Sequence, residues 1–285
     1  MDRPLTVLAE RGVPWAQTNV GEGMIRGNKG FKKQEKAGLK WIKKAAAQNY
    51  PSALYYLSGL YRDGLTSVQD KSQEKANELL MKSANLGYAL ANSELARWYL
   101  AGKNGFEKNQ EETIFRATVA HALDASYKLA AMILGSCLKP EQARESPPYL
   151  ECYYMNIAAN DDKDGMACYS YSQALAELSK HLHKSQDPIP GFSVVPAAFF
   201  WLRRSRDMGH NDARGGVKKL ESFGQSHCDN CSKEVKTGEK FKQCSKCKAQ
   251  WYCSKECQVE AWKAGHKKDC KRATILKFED YLYAE

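Results

Sequence analysis

The chain has 285 residues, 43% hydrophobic and 27% charged, with a mean hydropathy of −0.61 and a formal net charge of +10. That length is enough for one or two packed cores. The longest apolar stretch, Val194–Leu202, is far short of the roughly 18 residues a membrane-spanning helix needs, and Pro196 interrupts it. Met1–Trp15 has no positively charged start followed by an apolar stretch, so secretion is not signalled and an intracellular protein is expected, cytoplasmic or nuclear.

Taken from the N-terminus, the first two hundred residues repeat. Helix-like runs end at Gly12, Asn49, Gly87, His121 and Gly209, and four residues later an alanine restarts the pattern: Ala16, Ala53, Ala91, Ala125 and Ala213. Ala167 serves as the marker between the last two. Five positions after the marker stand Gly21, Ser58, Ala96, Ala130 and Ser172, small enough to let two helices approach. Gly27, Gly64 and Gly102 end the second helix of the first three units. Each unit is predicted to be two antiparallel helices, and stacked units make a mostly α chain, an α-solenoid.

This pattern resembles Sel1-like repeats, relatives of the tetratricopeptide class, over roughly residues 5–215. It weakens between Lys139 and Val195, where prolines at Pro147-Pro148 and Pro188–Pro196 interrupt it. A half unit continues to Gly224, with Lys218 in the small-residue position, as a solenoid cap would have. The repeat domain is therefore expected over 1–224, with the cysteine-rich C-terminal region docked on its end. Cys137, Cys152, Cys168 and most of the fifteen tyrosines read as packing residues, and His181 and His183 as solvated.

Seven of the ten cysteines fall between Cys228 and Cys270. The series is Cys228-x2-Cys231, Cys244-x2-Cys247, Cys253-x3-Cys257 and His266-x3-Cys270. Eight ligands in four pairs suit two tetrahedral zinc ions. Two intervening residues let a tight turn aim both sulfurs at one ion, and three put both side chains on one helix face. His227 reads as a solvated neighbour. Spacing leaves open which pairs share an ion.

The series, with Trp251-Tyr252 before the third pair and Gln258 and Trp262 after it, resembles a MYND-type zinc finger, expected over 225–272. The resemblance implies an interleaved, cross-braced arrangement. Cys228, Cys231, Cys253 and Cys257 would hold one zinc, and Cys244, Cys247, His266 and Cys270 the other. Both sets are filled by four protein ligands, which makes the zincs structural. The resemblance also implies a shallow peptide groove lined by Ser245, Gln258 and Trp262, taking short proline-containing segments beside a small hairpin.

Residues 228–272 carry 12 Lys/Arg and six Asp/Glu. Two zinc centres with seven thiolates remove three units of that excess, leaving about +3. With Arg272 the sole arginine and no helix of base-reading side chains, sequence-specific nucleic-acid reading is not expected. Nor is an enzyme. The glycine-rich and Asn-His cofactor motifs of SET–MYND methyltransferases are missing, as are a P-loop and a dinucleotide fingerprint. The reading is a zinc-binding adaptor, its finger taking proline-containing peptides and its solenoid a second protein. The alternatives are a nucleic-acid-associated regulator using its basic surface and an enzyme accessory subunit. Two proline segments, Ser146–Leu150 and Pro188–Pro190, would suit the same groove as self-ligands. The tail, 273–285, is expected to pack through Ile275, Leu276, Phe278 and Leu282 on the finger or the solenoid end.

Overall fold

A computed structural model describes residues 3–64, 70–138, 148–184, 193–235 and 239–283. The chain forms two compact units, Met1–Ile133 and Leu134–Glu285. The helices run in chain order as α1 (Arg3–Glu10), α2 (Pro14–Arg26), α3 (Glu35–Ala47), α4 (Pro51–Asp63), α5 (Gln73–Asn85), α6 (Ala89–Ala101), α7 (Gln110–Leu123), α8 (Lys128–Cys137), α9 (Pro148–Asn160), α10 (Met166–Lys184), α11 (Val195–Asp207) and α12 (Asn211–Ser226). A small region comes next, with strands β1 (Lys242–Gln243) and β2 (Trp251–Tyr252), helix α13 (Lys255–Ala261), a π-helical turn (Trp262–His266), α14 (Lys267–Arg272) and α15 (Phe278–Tyr283). No described helix is long and apolar enough to cross a membrane.

In the first unit the helices pack in the antiparallel pairs expected of a solenoid. Four of the predicted turn residues, Gly12, Asn49, Gly87 and Gly209, have positive φ, and four markers, Ala16, Ala53, Ala91 and Ala213, are fully buried. The small-residue rule holds most tightly at Gly21, where a Cβ would lie 2.8 Å from the Gly38 carbonyl oxygen of the facing helix.

The repeat also carries hydrogen bonds that recur in register. Just after the marker, Gln17 donates to the Ala9 carbonyl at 3.1 Å and Asn92 to that of Ala84 at 2.9 Å, each adding a second donor to a carbonyl that already accepts from the turn glycine, Gly12 or Gly87. Ser58 Oγ donates to the Tyr55 carbonyl and Ser172 Oγ to that of Tyr169. Ser83 Oγ reaches the Pro51 carbonyl, and Ser205 Oγ reaches that of Gly165. The last two pairs confirm Ala167, which is fully buried, as a marker in the same register as Ala53.

Ala125 is the exception. It sits exposed in a turn, and α8 starts only at Lys128. Asp124 explains this: its carboxylate accepts from the Ser126 N–H at 3.1 Å and the Ser126 hydroxyl at 2.6 Å. That local turn replaces the first helical turn of the unit. His121 likewise lies inside α7 rather than at its end.

The second unit has a core of its own. Tyr171 and Trp201 are buried edge to face at 5.1 Å, and Tyr171 meets Phe278 of the tail at 6.3 Å. Cys152 and Cys168 are fully buried, and burial pushes the Cys152 thiol far above its ordinary range. The tail packs through Phe278, as expected, with Ile275 and Leu282 half-buried, whereas Leu276 is exposed and contributes its backbone instead. Asn156 on α9 donates to the Leu276 carbonyl at 2.7 Å and accepts from the Phe278 N–H at 3.0 Å. Tyr281, 1% exposed, donates its hydroxyl to the Ser193 carbonyl.

Of the two proline segments, Pro148–Leu150 forms the first turn of α9 with Pro148 buried. Ser146, Pro147 and Pro188–Pro190 lie outside the described residues.

Candidate metal centre and peptide groove

The strands β1 and β2 pair antiparallel, Lys242 opposite Tyr252 and Gln243 opposite Trp251. This ribbon sets the turn Cys244–Cys247 beside the start of α13. Ser254 caps α13 by accepting from the Cys257 N–H at 3.2 Å. The cap places Cys253, just outside the helix, and Cys257, in its first turn, on one side. Gly265, at φ +148°, kinks the chain between α13 and α14 so that His266 and Cys270 turn toward the other site.

Two groups of four ligand atoms result, each with all members within 4.8 Å of one another: Cys228, Cys231, Cys253 and Cys257, and Cys244, Cys247, His266 and Cys270. The sulfurs of Cys231 and Cys253 are 3.6 Å apart, and those of Cys253 and Cys257 3.5 Å. In the second group Cys244 and Cys270 are 4.0 Å apart, and His266 Nε2 lies 3.3 Å from Cys244 Sγ and 3.7 Å from Cys247 Sγ. Thiolates about 2.3 Å from a tetrahedral ion stand roughly 3.8 Å from each other, so both donor sets fit zinc in size and chemistry. The grouping is the interleaved one that the MYND resemblance implied.

The electrostatics favour a thiolate at Cys228. Burial pushes its thiol up, but the backbone N–H groups of Cys231, Cys253 and Asn230 outweigh it and hold the group at about 6. Its neighbours answer in the opposite sense: Cys253, bonded to Cys257, is pushed up to about 12. A cation bound among the four sulfurs would favour their thiolate forms, since metal binding displaces the thiol protons. Burial holds His266 below its ordinary range, keeping the imidazole in its neutral, ligating form. His227 is not among these groups. It stacks on Phe223 at 3.9 Å, and its Nε2 meets Glu234 at 3.1 Å.

Ser245 is exposed in the turn between Cys244 and Cys247, and Gln258 and Trp262 are half-buried one turn apart. Trp262 packs on the cysteine core with one face under Lys246, whose Nζ is 5.4 Å from the ring centroid. The outer residues of β1, Lys242 and Gln243, are exposed.

Sequence reasoning missed the residues that seat the finger. Trp251 is 3% exposed, 5.5 Å from Phe199 of α11, and lies on Gly224 of α12 so closely that a Cβ there would be 2.2 Å from the indole. Arg203 of α11 donates to the Cys247 carbonyl at 3.2 Å and to that of Lys248, and pairs with Glu221 at 3.0 Å. A glycine and a tryptophan in different modules give no periodic signal, though Gly224 stood out as the end of the last half unit.

The MYND finger family model matches residues 228–270, and the Sel1 repeat model matches residues 16–50, 51–88, 89–115 and 172–210. Over 47 residues (15% of the chain) the sequence is 47% identical to a SET and MYND domain-containing protein of Dictyostelium discoideum. Over 99 residues (34% of the chain) it is 30% identical to the chitin synthase regulator SKT5 of Malassezia restricta. These matches span only 8% and 7% of the two curated relatives' own lengths. Among solved structures, a Sel1 repeat protein from Oxalobacter formigenes superimposes with a TM-score of 0.57 at 21% identity, over 75% of this chain and 78% of that one. The c5321 protective antigen of uropathogenic Escherichia coli, which has an SLR fold, gives 0.54 at 20% identity, over 96% of this chain and 50% of that one. The structural likeness shows the fold, and the two family models show the parts: the chain carries Sel1 repeats in its N-terminal region and a C-terminal MYND finger with two zinc-binding clusters.

Proposed function

We propose that this protein is an adaptor, its finger taking short proline-containing peptides and its helical repeats engaging a second protein. Sel1 repeats and MYND fingers are, as a rule, non-catalytic interaction modules, and the partial likeness to a chitin synthase regulator is in keeping with a regulatory role. Four protein ligands at each cluster leave no coordination position for a substrate, so zinc in this reading supplies folding energy.

The observation that carries the finger's role is Trp262, a half-buried indole on the cysteine core under Lys246 of the turn that follows β1, whose two residues are exposed. An extended peptide added along β1 would lay a proline on that indole, a pairing of rigid surfaces with little entropy to lose. Gln258, one turn away, and Ser245 would supply polar contacts. Seven cysteines kept as thiolate ligands fit a reducing compartment, cytoplasm or nucleus.

The test is a titration of the zinc-loaded full chain with a fluorescent diproline-containing peptide at two salt concentrations. Saturable binding that changes little with salt and weakens about tenfold or more in Trp262→Ala is expected. Binding indifferent to Trp262, or collapsing with salt, would refute the groove and turn attention to the basic surface.

A further inference from the structure

Residues 1–133 carry 19 Lys/Arg against 13 Asp/Glu, and Lys32–Lys44 alone holds six lysines and one glutamate. Most of this unit's charge excess therefore lies in one short stretch, the loop before α3 and α3 itself. On α3 the lysines are sorted by face. Gly38, Leu39, Ile42, Ala45 and Ala46 are buried, while Lys36, Lys40, Lys43 and Lys44 are exposed on the opposite side. Lys36, Lys40 and Lys43 have no acidic partner among the described residues, and Lys44 lies over the Trp41 ring at 4.6 Å.

Like charges three and four residues apart destabilise a helix, and solvated helices normally interleave acids with bases. The equivalent helices of the next two units do so: α5 has Glu74, Lys75, Glu78 and Lys82, and α7 has Glu111, Glu112 and Arg116. The stripe is thus absent from α5 and α7, and the arginines of α11 differ in having partners: Arg203 pairs with Glu221 and Arg206 with Asp207.

We infer that the lysine face of α3 is a docking surface for an acidic segment of a protein partner. This inference rests on the adaptor reading and specifies the chemistry of its second partner. Lys36 and Lys40 stand about 6 Å apart along the axis, with Lys43 about 4.5 Å further on. Alternate residues of an extended chain repeat every ~6.7 Å, so carboxylates at every second position meet successive lysines. Single-stranded nucleic acid would want aromatic platforms beside the charges. The aromatic residue of α3, Trp41, is half-buried with one face covered by Lys44. A membrane surface would want apolar side chains on the same face, and α3 exposes no large one.

The experiment uses the zinc-loaded full chain and three probes: a fluorescent peptide of alternating glutamate and serine, an oligouridine of similar length, and phosphatidylserine vesicles. The peptide is expected to bind, to weaken about tenfold in Lys36→Gln/Lys40→Gln/Lys43→Gln, and to bind unchanged in Trp262→Ala. That last arm separates this inference from the groove: either can fail alone. The triple variant removes only like-charge neighbours, so its melting temperature should hold or rise. Peptide binding that survives the triple substitution overturns the inference. So does oligouridine or vesicle binding tighter than the peptide's and lost in the same variant, which would make the face a nucleic-acid or membrane site.

Discussion

Cys257 and His266 each belong to one of the two clusters, so their removal should be separable. Cys257→Ser is expected to leave one metal equivalent held by three sulfurs and a nitrogen, and His266→Ala one held by four sulfurs. Cobalt substitution reads the difference, since the ligand-field bands shift with the donor set. Loss of both metals in either variant would mean that the sites fold as a single step. Gly224 offers a second test at this scale. With a Cβ placed 2.2 Å from the Trp251 ring, Gly224→Ala must displace either the finger or the last turn of α12. Destabilisation of about 1–3 kcal/mol in urea unfolding is expected, the usual effect of overpacking.

Among the elements, the tail takes two of its backbone hydrogen bonds from one amide. Asn156 both donates to and accepts from the backbone just before and at the start of α15. Asn156→Ala should cost about 1–3 kcal/mol, because it strands the buried Phe278 N–H and frees the part-buried Leu276 carbonyl. Hydrogen exchange should quicken at residues 276–281, and unchanged exchange there would show that Phe278 and Tyr281 anchor the tail by burial alone. This seat was invisible in the sequence, since a single amide 120 residues away belongs to no pattern. The ligand octet was legible for the opposite reason: metal chemistry admits few residue types at few spacings. The helical markers fall between the two cases. Ala16, Ala53 and Ala91 were readable because a close helix crossing tolerates only small side chains there. At Ala125 the periodicity was outweighed by Asp124, whose carboxylate ties down Ser126 in a turn.

On the scale of the whole molecule, the boundary read at residue 224 divides two family matches, whereas compactness divides the chain after Ile133. The finger shares a unit with α9–α12, and Phe199, Arg203 and Gly224 are the contacts that make it do so. Chelation of zinc should therefore release more than the finger. Hydrogen exchange with and without chelator is expected to show protection lost across 227–272 and reduced in α11, with α2–α6 unchanged. Loss confined to 228–270 would show that α11 and α12 hold their packing without the finger.

The seating of Trp251 on Gly224 also bears on how freely such modules can be exchanged. A cut between residues 226 and 228, at the seam between the repeats and the finger, would leave an indole-sized hollow on one piece and a bare tryptophan on the other. A finger transplanted from another protein would have to bring its own aromatic knob and find a glycine waiting for it. In this chain the two parts are therefore fitted as a matched pair, and a recombination event that joined them at random would first have produced a sticky surface, to be cured only by later substitutions on both sides of the joint.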